Sequence, residues 1–361
     1  CWEGAARMRT PDIVLVVPNS RGPAYGPLAP LAAVEPPVWA GLLAMFLLQK
    51  GYGVEILDAH ALDLPAGQIG EMVARARPRL AAAVAYGHQP SASTQTMPAA
   101  RAALQAIRDV APQIPTAILG GHVSALPEQT LREEPVDYVI EGEGPYTLEA
   151  LLGVLQAAGT FGRVPTYDGV PGLWWKDAEG TRFHNAPAPL VKDLDGEMPS
   201  VAWPLLPPVK FYRAHNWHSL TGDENYRAYG ALYTTLGCPY TCHFCMINAP
   251  FKAGSPTVNA YRRWSPRRVG EQLEELVTKY NVNNVKLVDE MFVLNAHHVE
   301  GVCDQIVQRG LEEVLNLWAY ARVDTVKSPE LLGRMRRAGF RWLTLGIEAA
   351  GDQLRRPLLD V

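Results

Sequence analysis

The feature that most constrains this chain is an alternation of short apolar runs with helical patterns in the first half. Each run stops at turn-forming residues, and the helical segments between them are long enough for crossovers between parallel strands. The predicted strands are 13–17, 54–57, 80–85, 116–119 and 138–140. The predicted helices are 38–49, 69–77, 99–110 and 146–155. This pattern predicts an α/β domain built on a parallel sheet.

Polar and glycine-containing loops follow the predicted strands. An open parallel sheet binds ligands outside the carboxyl ends of its strands, so these loops are the candidate ligand contacts. Their glycines would let the backbone approach a ligand, or they serve only as turn residues. The candidates are Asn19, Ser20, Tyr86, Gly87, His88, Gly120, Gly121, His122, Glu141, Gly142 and Glu143.

The segment 159–229 has a different character. Residues 172–184 predict a β-hairpin with its turn at 177–180. The stretch 187–208 holds six prolines in 22 residues, too many for a helix or a central strand. We interpret the whole segment as a connector that crosses the surface of both halves, and Trp174 and Trp175 as packing residues.

Three of the five cysteines lie within eight residues, directly after the strand-like run 231–237. They are Cys238, Cys242 and Cys245, in a Cys-x3-Cys-x2-Cys pattern. Cys1 and Cys303 lie far away, which is unlike a disulfide framework. Three thiolates in one loop suit a soft metal. His243 could complete a zinc site, whereas a [4Fe–4S] cluster on three cysteines would leave one iron open.

Strand and helix patterns alternate again after the cysteines. Strand starts near 231, 284, 315 and 342 predict successive βα units of a barrel-like fold, whose sites lie at the carboxyl ends of strands. Polar residues follow these strands: Asp289, Glu290, Arg322 and Glu348. Cys303 lies on the apolar face of a predicted helix, so we expect it to be buried and structural.

The cysteine motif, with the aromatic Phe244 before its third cysteine, resembles that of the radical S-adenosylmethionine (SAM) enzymes. A five-stranded parallel domain ahead of such a core resembles the cobalamin (B12)-dependent subfamily. The resemblance implies a Rossmann-like B12-binding domain over 10–158, a connector over 159–229 and part of a (β/α)6 radical SAM barrel over 230–361. Because the chain begins at Cys1 and stops after the fourth barrel strand, we expect about two strands and any C-terminal substrate domain to be missing.

The resemblance also implies roles for the residues of the barrel half. Cys238, Cys242 and Cys245 would hold a [4Fe–4S] cluster that binds SAM through its open iron. Asp289 and Glu290 stand where the family contacts the SAM amino group, although the common Gly-Gly-Glu is absent. The remaining SAM contacts would be Phe244, Arg322 and Glu348, with the last two near the SAM carboxylate and ribose.

For the first half, the resemblance implies that the strand-end loops bind cobalamin. Asp58 and His60 look like part of the Asp-x-His-x-x-Gly motif, whose histidine ligates cobalt from below. They follow the second strand rather than the first, and the glycine is missing. We therefore interpret His60 as a strand-end or surface histidine and expect base-off cobalamin.

The function implied by the resemblance is C-methylation. The reduced cluster would cleave SAM, a 5′-deoxyadenosyl radical would remove hydrogen from an unactivated carbon, and methylcobalamin would deliver the methyl group. The alternatives are a B12-dependent radical SAM cyclase or rearrangement enzyme, and a non-catalytic metal- or cobalamin-binding sensor. A methylthiotransferase is disfavoured, because its N-terminal domain needs three cysteines and this half has only Cys1.

Charge and hydropathy limit the partners. Lys and Arg total 33 against 37 Asp and Glu, so the chain lacks the basic surplus of a nucleic-acid binder. The longest apolar segment, 38–48, is shorter than the roughly 18 residues of a membrane span. The resemblance implies a small-molecule substrate or natural-product intermediate, an external electron donor of the flavodoxin or ferredoxin type, and a cytoplasmic location.

Overall fold

A computed structural model of the chain describes residues 10–87, 90–161, 165–214, 228–240, 242, 244–251, 261–349 and 351. Within these ranges the strands form a seven-stranded sheet, a four-stranded sheet and a two-stranded ribbon. Two residues proposed from the sequence, His88 and His243, lie outside the described residues. No helix in the described ranges has the length and apolar character needed to cross a membrane.

The five strands predicted in the first half are present and pair in parallel, in the order β2-β1-β3-β4-β5. They are β1 (Ile13–Val17), β2 (Val54–Asp58), β3 (Leu80–Ala85), β4 (Thr116–Gly120) and β5 (Tyr138–Ile140). Most of their side chains are buried, as crossover helices on both faces of a parallel sheet require. β1 lies between β2 and β3, so the connection after β1 runs to one side of it and the connection after β2 runs to the other side. A crevice therefore opens beside the carboxyl end of β1.

The four helices predicted in the first half are also present. The full set is α1 (Arg21–Tyr25), α2 (Val38–Gln49), α3 (Ala66–Ala76), α4 (Pro90–Val110), α5 (Gly121–Ala125), α6 (Pro127–Glu133) and α7 (Pro145–Phe161). The helix α4 begins at Pro90 rather than at 99, since Pro98 lies inside it instead of before it. The short helices α1, α5 and α6 were not predicted, because none is long enough to show a helical period.

The hairpin predicted over 172–184 consists of β6 (Leu173–Lys176) and β7 (Arg182–His184). It does not stand apart in the connector: β6 pairs antiparallel with β5 and extends the first sheet. The hairpin thereby covers an edge that the short strand β5 would otherwise expose. Trp174 stacks on His184 with ring centroids 4.3 Å apart, so it packs within the hairpin as expected.

The proline-rich part of the connector contacts both halves. It contains the short α-helix α8 (Leu194–Glu197). Just after α8, the carbonyl oxygen of Met198 accepts a 2.8 Å hydrogen bond from Trp264 in the second half. Further on, the hydroxyl of Tyr212 donates to Asp58 at the end of β2, also at 2.8 Å. One cluster of buried apolar residues therefore runs from the first sheet through the connector to the second.

The strands and α-helices of the second half are, in chain order, β8 (Tyr229–Leu232), β9 (Thr235–Leu236), β10 (Arg262–Arg263), α9 (Pro266–Tyr280), β11 (Asn284–Leu287), α10 (Ala296–Gln308), β12 (Asn316–Arg322), α11 (Pro329–Arg337) and β13 (Phe340–Gly346). Its parallel sheet has the order β13-β12-β11-β8, which confirms the predicted succession of βα units. The strand predicted over 231–237 is wrong in one respect. It divides into β8 and β9, and β9 leaves the sheet to pair antiparallel with β10. Cys303 is buried on α10, as expected.

Candidate active site

A cavity of about 260 Å³ lies where the carboxyl ends of the two parallel sheets meet. We call it the shared cavity, because both halves line it. The first half contributes Tyr86, Gly87, Ser93 and Gly121. The second half contributes, among others, Cys238, Cys242, Phe244, Cys245, Asp289, Glu290, Arg322 and Glu348. The structure thus brings every described residue proposed for the cluster and for SAM to one place.

A second pocket, called here the crevice cavity, opens beside the carboxyl ends of β1 and β3. Its lining includes Ser20, His60 and Trp39, and it shares Tyr86 and Tyr233 with the shared cavity. Trp39 packs against Tyr86 with ring centroids 5.0 Å apart and against Tyr233 at 6.2 Å. The two cavities are therefore neighbours separated by a wall of aromatic side chains.

The cysteine loop begins at a sharp turn and is tied at its base. Gly237 has φ 79°, a left-handed conformation that suits glycine. The β9–β10 ribbon holds the start of the loop to the chain that returns from it. Cys238 is buried and burial raises the pKa of its thiol to about 12, whereas Cys242 and Cys245 are half-buried. A bound metal would therefore have to drive deprotonation of the Cys238 thiol.

The described donors of the cysteine loop do not fit a site for a single metal ion. Among the described residues, no three His, Cys, Asp or Glu side chains are gathered closely enough to hold one metal ion. In a [4Fe–4S] cluster each cysteine binds a different iron, so the thiolates need not converge on one point. Three thiols facing one cavity are chemically suited to that cluster.

Asp289 and Glu290 have different environments. Asp289 is fully buried, and its Oδ1 accepts from the backbone N–H groups of Thr234 at 2.6 Å and Thr235 at 3.2 Å. Its Oδ2 accepts from the Thr234 hydroxyl, which also lies 3.0 Å from Nε2 of His298. Burial raises the pKa of Asp289 to about 6, and these bonds oppose the rise. Asp289 therefore braces the turn between β8 and β9, from which the cysteine loop starts.

Glu290 is the carboxylate of this pair that remains available to a ligand. Its Oε2 is buried beside the shared cavity and has no hydrogen-bond partner among the described residues. The pKa of Glu290 is raised to about 8, mainly by burial and to a smaller extent by the neighbouring charge of Asp289. A cationic group placed against this oxygen would satisfy it and favour its charged form.

Arg322 offers the opposite charge across the same cavity. Its guanidinium makes a two-point pair with Asp324, at 2.9 and 2.6 Å, and lies over the ring of Tyr240 at 3.8 Å. The Nη1 group is buried and has no partner within the described part of the chain. Glu348, also at the cavity, has φ 63°, a left-handed conformation uncommon for a residue other than glycine. Phe244 is 55% exposed at the cavity mouth.

The first-half wall of the shared cavity depends on close backbone packing. A Cβ atom on Gly87 would lie 2.1 Å from Cβ of Ala92, and one on Gly120 would lie 2.3 Å from the carbonyl oxygen of Ala85. Ser93 joins these elements, since its hydroxyl donates to the Ala85 carbonyl at 2.5 Å and accepts from the N–H of His122 at 2.9 Å. These contacts fix the position of the loop after β3 relative to the loop after β4.

The acidic side chains proposed for cobalamin are engaged elsewhere. Glu141 accepts from the indole N–H of Trp174 at 2.7 Å, and the buried Glu143 pairs with Arg262. Asn19 donates to Asp63 at 2.9 Å and holds the loop after β1 to the turn after β2. Gly142 has φ 92° and exchanges hydrogen bonds with Ser124. At these loops the carboxylates are already paired within the protein, so the backbone groups are better placed than the carboxylates to contact a ligand.

The sequence interpretation did not single out several residues that line the shared cavity. They include Tyr233, Tyr240, Met246 and Tyr320. A signal was available for Tyr320, because it lies two positions before Arg322 on β12 and therefore faces the same side of the sheet. No comparable signal marks Met246, which meets Gly121 only because the two halves are packed together.

Two family models match the chain. The model described as the B12 binding domain matches residues 27–152, and that of the radical SAM superfamily matches residues 232–359. Together with the two-sheet fold and its cysteine-lined cavity, they define a protein with adjoining cobalamin and radical SAM domains. The chain belongs to the radical SAM enzymes that carry a B12 binding domain. This confirms the fold class and the cofactor class expected from the sequence.

Curated relatives have related names. An uncharacterized methyltransferase of Pyrococcus horikoshii is 26% identical over 96% of this chain and 67% of its own length. An anaerobic magnesium-protoporphyrin IX monomethyl ester cyclase of Cereibacter sphaeroides is 27% identical over 94% of this chain and 51% of its own. The chain thus spans about half to two thirds of the length of these relatives.

Solved structures share the fold at low identity. The radical SAM methyltransferase TsrM from Kitasatospora setae, with tryptophan and a SAM analogue bound, aligns with TM-score 0.68 and 18% identity. The alignment covers 95% of this chain and 60% of TsrM. The cobalamin-dependent radical enzyme OxsB, with aqua-cobalamin and SAM bound, aligns with TM-score 0.67 and 19% identity over 97% of this chain and 45% of OxsB.

Proposed function

We propose that this protein is a cobalamin-dependent radical SAM enzyme that methylates an unactivated carbon of a small molecule or natural-product intermediate. The observation that carries the proposal is the shared cavity, in which three cysteines of one half face Tyr86, Gly87, Ser93 and Gly121 of the other. When bound, the cluster and SAM supply one-electron chemistry and cobalamin supplies methyl transfer.

In this proposal the second half holds SAM by charge. Cys238, Cys242 and Cys245 anchor the cluster, and Oε2 of Glu290 accepts from the SAM ammonium group. Nη1 of Arg322, which has no partner among the described residues, donates to the SAM carboxylate, since a guanidinium N–H is a strong donor to such an oxygen. Phe244 and Glu348 complete the SAM contacts, Glu348 at the ribose. Asp289 acts indirectly, through the turn that it braces.

The first half holds cobalamin by shape. The predicted contacts that line the two cavities are Ser20 at the crevice cavity and Tyr86, Gly87 and Gly121 at the shared cavity. The hydroxyl of Tyr86 is buried without a partner among the described residues, so it has a hydrogen bond to offer. The loop after β1 contains no histidine, which supports base-off binding. His60 lies after β2, with its Nδ1 3.4 Å from the hydroxyl of Ser20.

The proposal includes an electron donor and a setting. Reduction of the cluster requires an external donor, which we expect to be of the flavodoxin or ferredoxin type. A cytoplasmic location would keep the cysteine thiols reduced before the cluster is assembled.

Methyl transfer from SAM to cobalamin tests the proposal without knowledge of the substrate. The chain is reconstituted anaerobically with iron, sulfide and hydroxocobalamin, reduced and supplied with SAM. We expect about four irons per chain, together with methylcobalamin and S-adenosylhomocysteine by mass spectrometry. The variant Cys303→Ala is the matched control, because this cysteine is buried outside the cavity and should leave all three readouts unchanged.

The other functions give different results. Bound cobalamin with 5′-deoxyadenosine but no methylcobalamin would replace methylation with the cyclase or rearrangement chemistry that the relatives from Cereibacter sphaeroides and others suggest. Zinc in place of iron, with neither SAM product, would contradict catalysis and support a sensor.

A further inference from the structure

A lysine is buried in the core of the radical SAM domain and pairs with the other domain. Lys286 lies on β11, and its side chain is 0% exposed. Its Nζ is 3.0 Å from both carboxylate oxygens of Glu35, which directly precedes the two prolines at the start of α2. The ammonium also lies over the rings of Trp318 and Tyr320, at 4.9 and 5.2 Å. This pair joins the two domains across 251 positions of sequence.

The pair lies between the two cavities. Glu35 lines the crevice cavity, and Tyr320 lines the shared cavity. β11 ends at Leu287, and the chain continues directly from its carboxyl end into Val288 and Glu290. Both line the shared cavity, so a shift of Glu35 against Lys286 would displace the floor of one cavity relative to the other.

A second buried ion pair joins the domains elsewhere. The carboxylate of Glu143, 2% exposed, pairs with the guanidinium of Arg262 on β10 and accepts from the N–H of Val191 at 2.9 Å. Arg262 also donates to the carbonyl oxygen of Val191. Three parts of the chain, namely the B12 binding domain, the connector and the ribbon beside the cysteine loop, therefore meet at one carboxylate.

Two such pairs restrict movement more than one does. A single contact between two rigid domains permits rotation about it, whereas two separate contacts permit rotation only about the line that joins them. Buried ion pairs add little net stability compared with apolar packing, because both charges lose their hydration. They instead favour one relative orientation of the two domains, because a displaced partner leaves a charge buried and unpaired.

We propose that Glu35–Lys286 and Glu143–Arg262 are positioning residues that fix the register of the B12 binding domain on the radical SAM domain. The shared cavity then keeps one geometry, and the reaction proceeds without a swing of the cobalamin domain. The register of the two domains does not depend on the proposed function. Only the identity of the cofactors that would bind in the cavity rests on the proposed function.

The test measures the distance between the domains in the full chain. Nitroxide labels are attached through ketone-bearing residues at Glu71 on α3 and Gln308 on α10, which are both exposed and leave the cysteines untouched. Pulsed EPR should give one narrow distance distribution, unchanged by SAM or hydroxocobalamin. Two distances in the native chain, or a shift when cofactors are added, would overturn the proposal.

Variants separate register from stability. Lys286→Met should lower the thermal midpoint by roughly 5–15 °C, because it leaves the Glu35 charge unpaired. The double variant E35L/K286M replaces the pair with apolar residues of similar size, so it should recover most of that midpoint and keeps the test open if the single variant does not fold. The distance distribution of the double variant should nevertheless broaden. A narrow native distribution in that variant would show that the pair only stabilises the fold, and would refute the proposal.

The matched control is Lys279→Met, the same change in the exposed Lys279–Glu275 pair of α9. It should alter neither the midpoint, beyond about 1 °C, nor the distance distribution. The labelled chain needs no cofactor for this measurement. A chain that bound neither SAM nor cobalamin but kept one narrow distance would contradict the proposed function and still support the register.

Discussion

The two walls of the shared cavity are built from different chemistry. The wall from the B12 binding domain is neutral, with two glycines, a serine and a tyrosine held in place by backbone packing. The wall from the radical SAM domain is ionisable, with three thiols, three carboxylates and a guanidinium at successive strand ends. A large macrocycle is held mainly by shape, whereas a small zwitterion is held by opposite charges. The neutral wall should therefore be sensitive to added atoms, and the ionisable wall to removed ones.

The largest effect is expected from removal of a thiol. Cys242→Ala should abolish iron retention after reconstitution, because two thiolates do not hold the cluster. Iron and sulfide analysis gives the answer, with Cys303→Ala as the variant that keeps a full complement. Full iron content in Cys242→Ala would mean that another residue supplies the third ligand.

An added methyl group on the neutral wall should have the next largest effect. Gly87→Ala places Cβ 2.1 Å from Ala92, so the start of α4 has to move, at a cost of about 1–3 kcal/mol in the free energy of unfolding. Urea unfolding and hydroxocobalamin titration should both show the loss. Gly67→Ala on α3 is the control, since nothing lies within 4 Å of its Cβ position and alanine favours the helix.

Removal of one charge from the ionisable wall should affect SAM alone. Glu290→Gln is expected to weaken SAM binding about ten- to hundredfold, because a charge-assisted hydrogen bond becomes a neutral one. Iron content should not change. Asp289→Asn is the comparison: it should instead lower stability and iron retention, since Asp289 braces the turn before the cysteine loop. If the two variants behaved alike, their separate roles would be wrong.

The smallest effect concerns the hydroxyl that ties the neutral wall together. Ser93→Ala removes its bonds to Ala85 and His122, which should lower the free energy of unfolding by about 1 kcal/mol. Thr94→Ala, one residue further along the same helix, removes only an exposed contact with His122 and should cost less. Equal losses in chemical denaturation would contradict the importance given to the buried serine.

Most of the fold followed from local patterns. Strands such as β1, β3 and β5 were predicted at their observed bounds, because apolar runs ended at proline, glycine or polar residues. The hairpin was predicted as well, but its pairing with β5 was not. That pairing depends on an open sheet edge elsewhere in the chain, which no local pattern reveals. The break between β8 and β9 is similar, because it follows from the bonds of Thr234 with Asp289, 55 residues away.

The candidate site was predictable to the same degree. The three cysteines and the polar residues after β11 and β12 could be named, because parallel strands deliver their carboxyl ends to one edge. Asp289 could not be distinguished from Glu290 before the structure was known, since the two are adjacent at the end of the same predicted strand. Their roles separate only in the structure, where Asp289 accepts hydrogen bonds from Thr234 whereas Oε2 of Glu290 has no partner among the described residues.

The aromatic wall between the two cavities has a practical consequence. Trp39 is buried there, with its indole N–H donating to the carbonyl oxygen of Glu143 at 3.2 Å and its ring lining the crevice cavity. An indole in this position would transfer its excitation to a corrin bound in the crevice cavity. Occupation of the crevice cavity by cobalamin should therefore quench the fluorescence of Trp39. The intrinsic tryptophan fluorescence of the protein would then report how much cobalamin is bound.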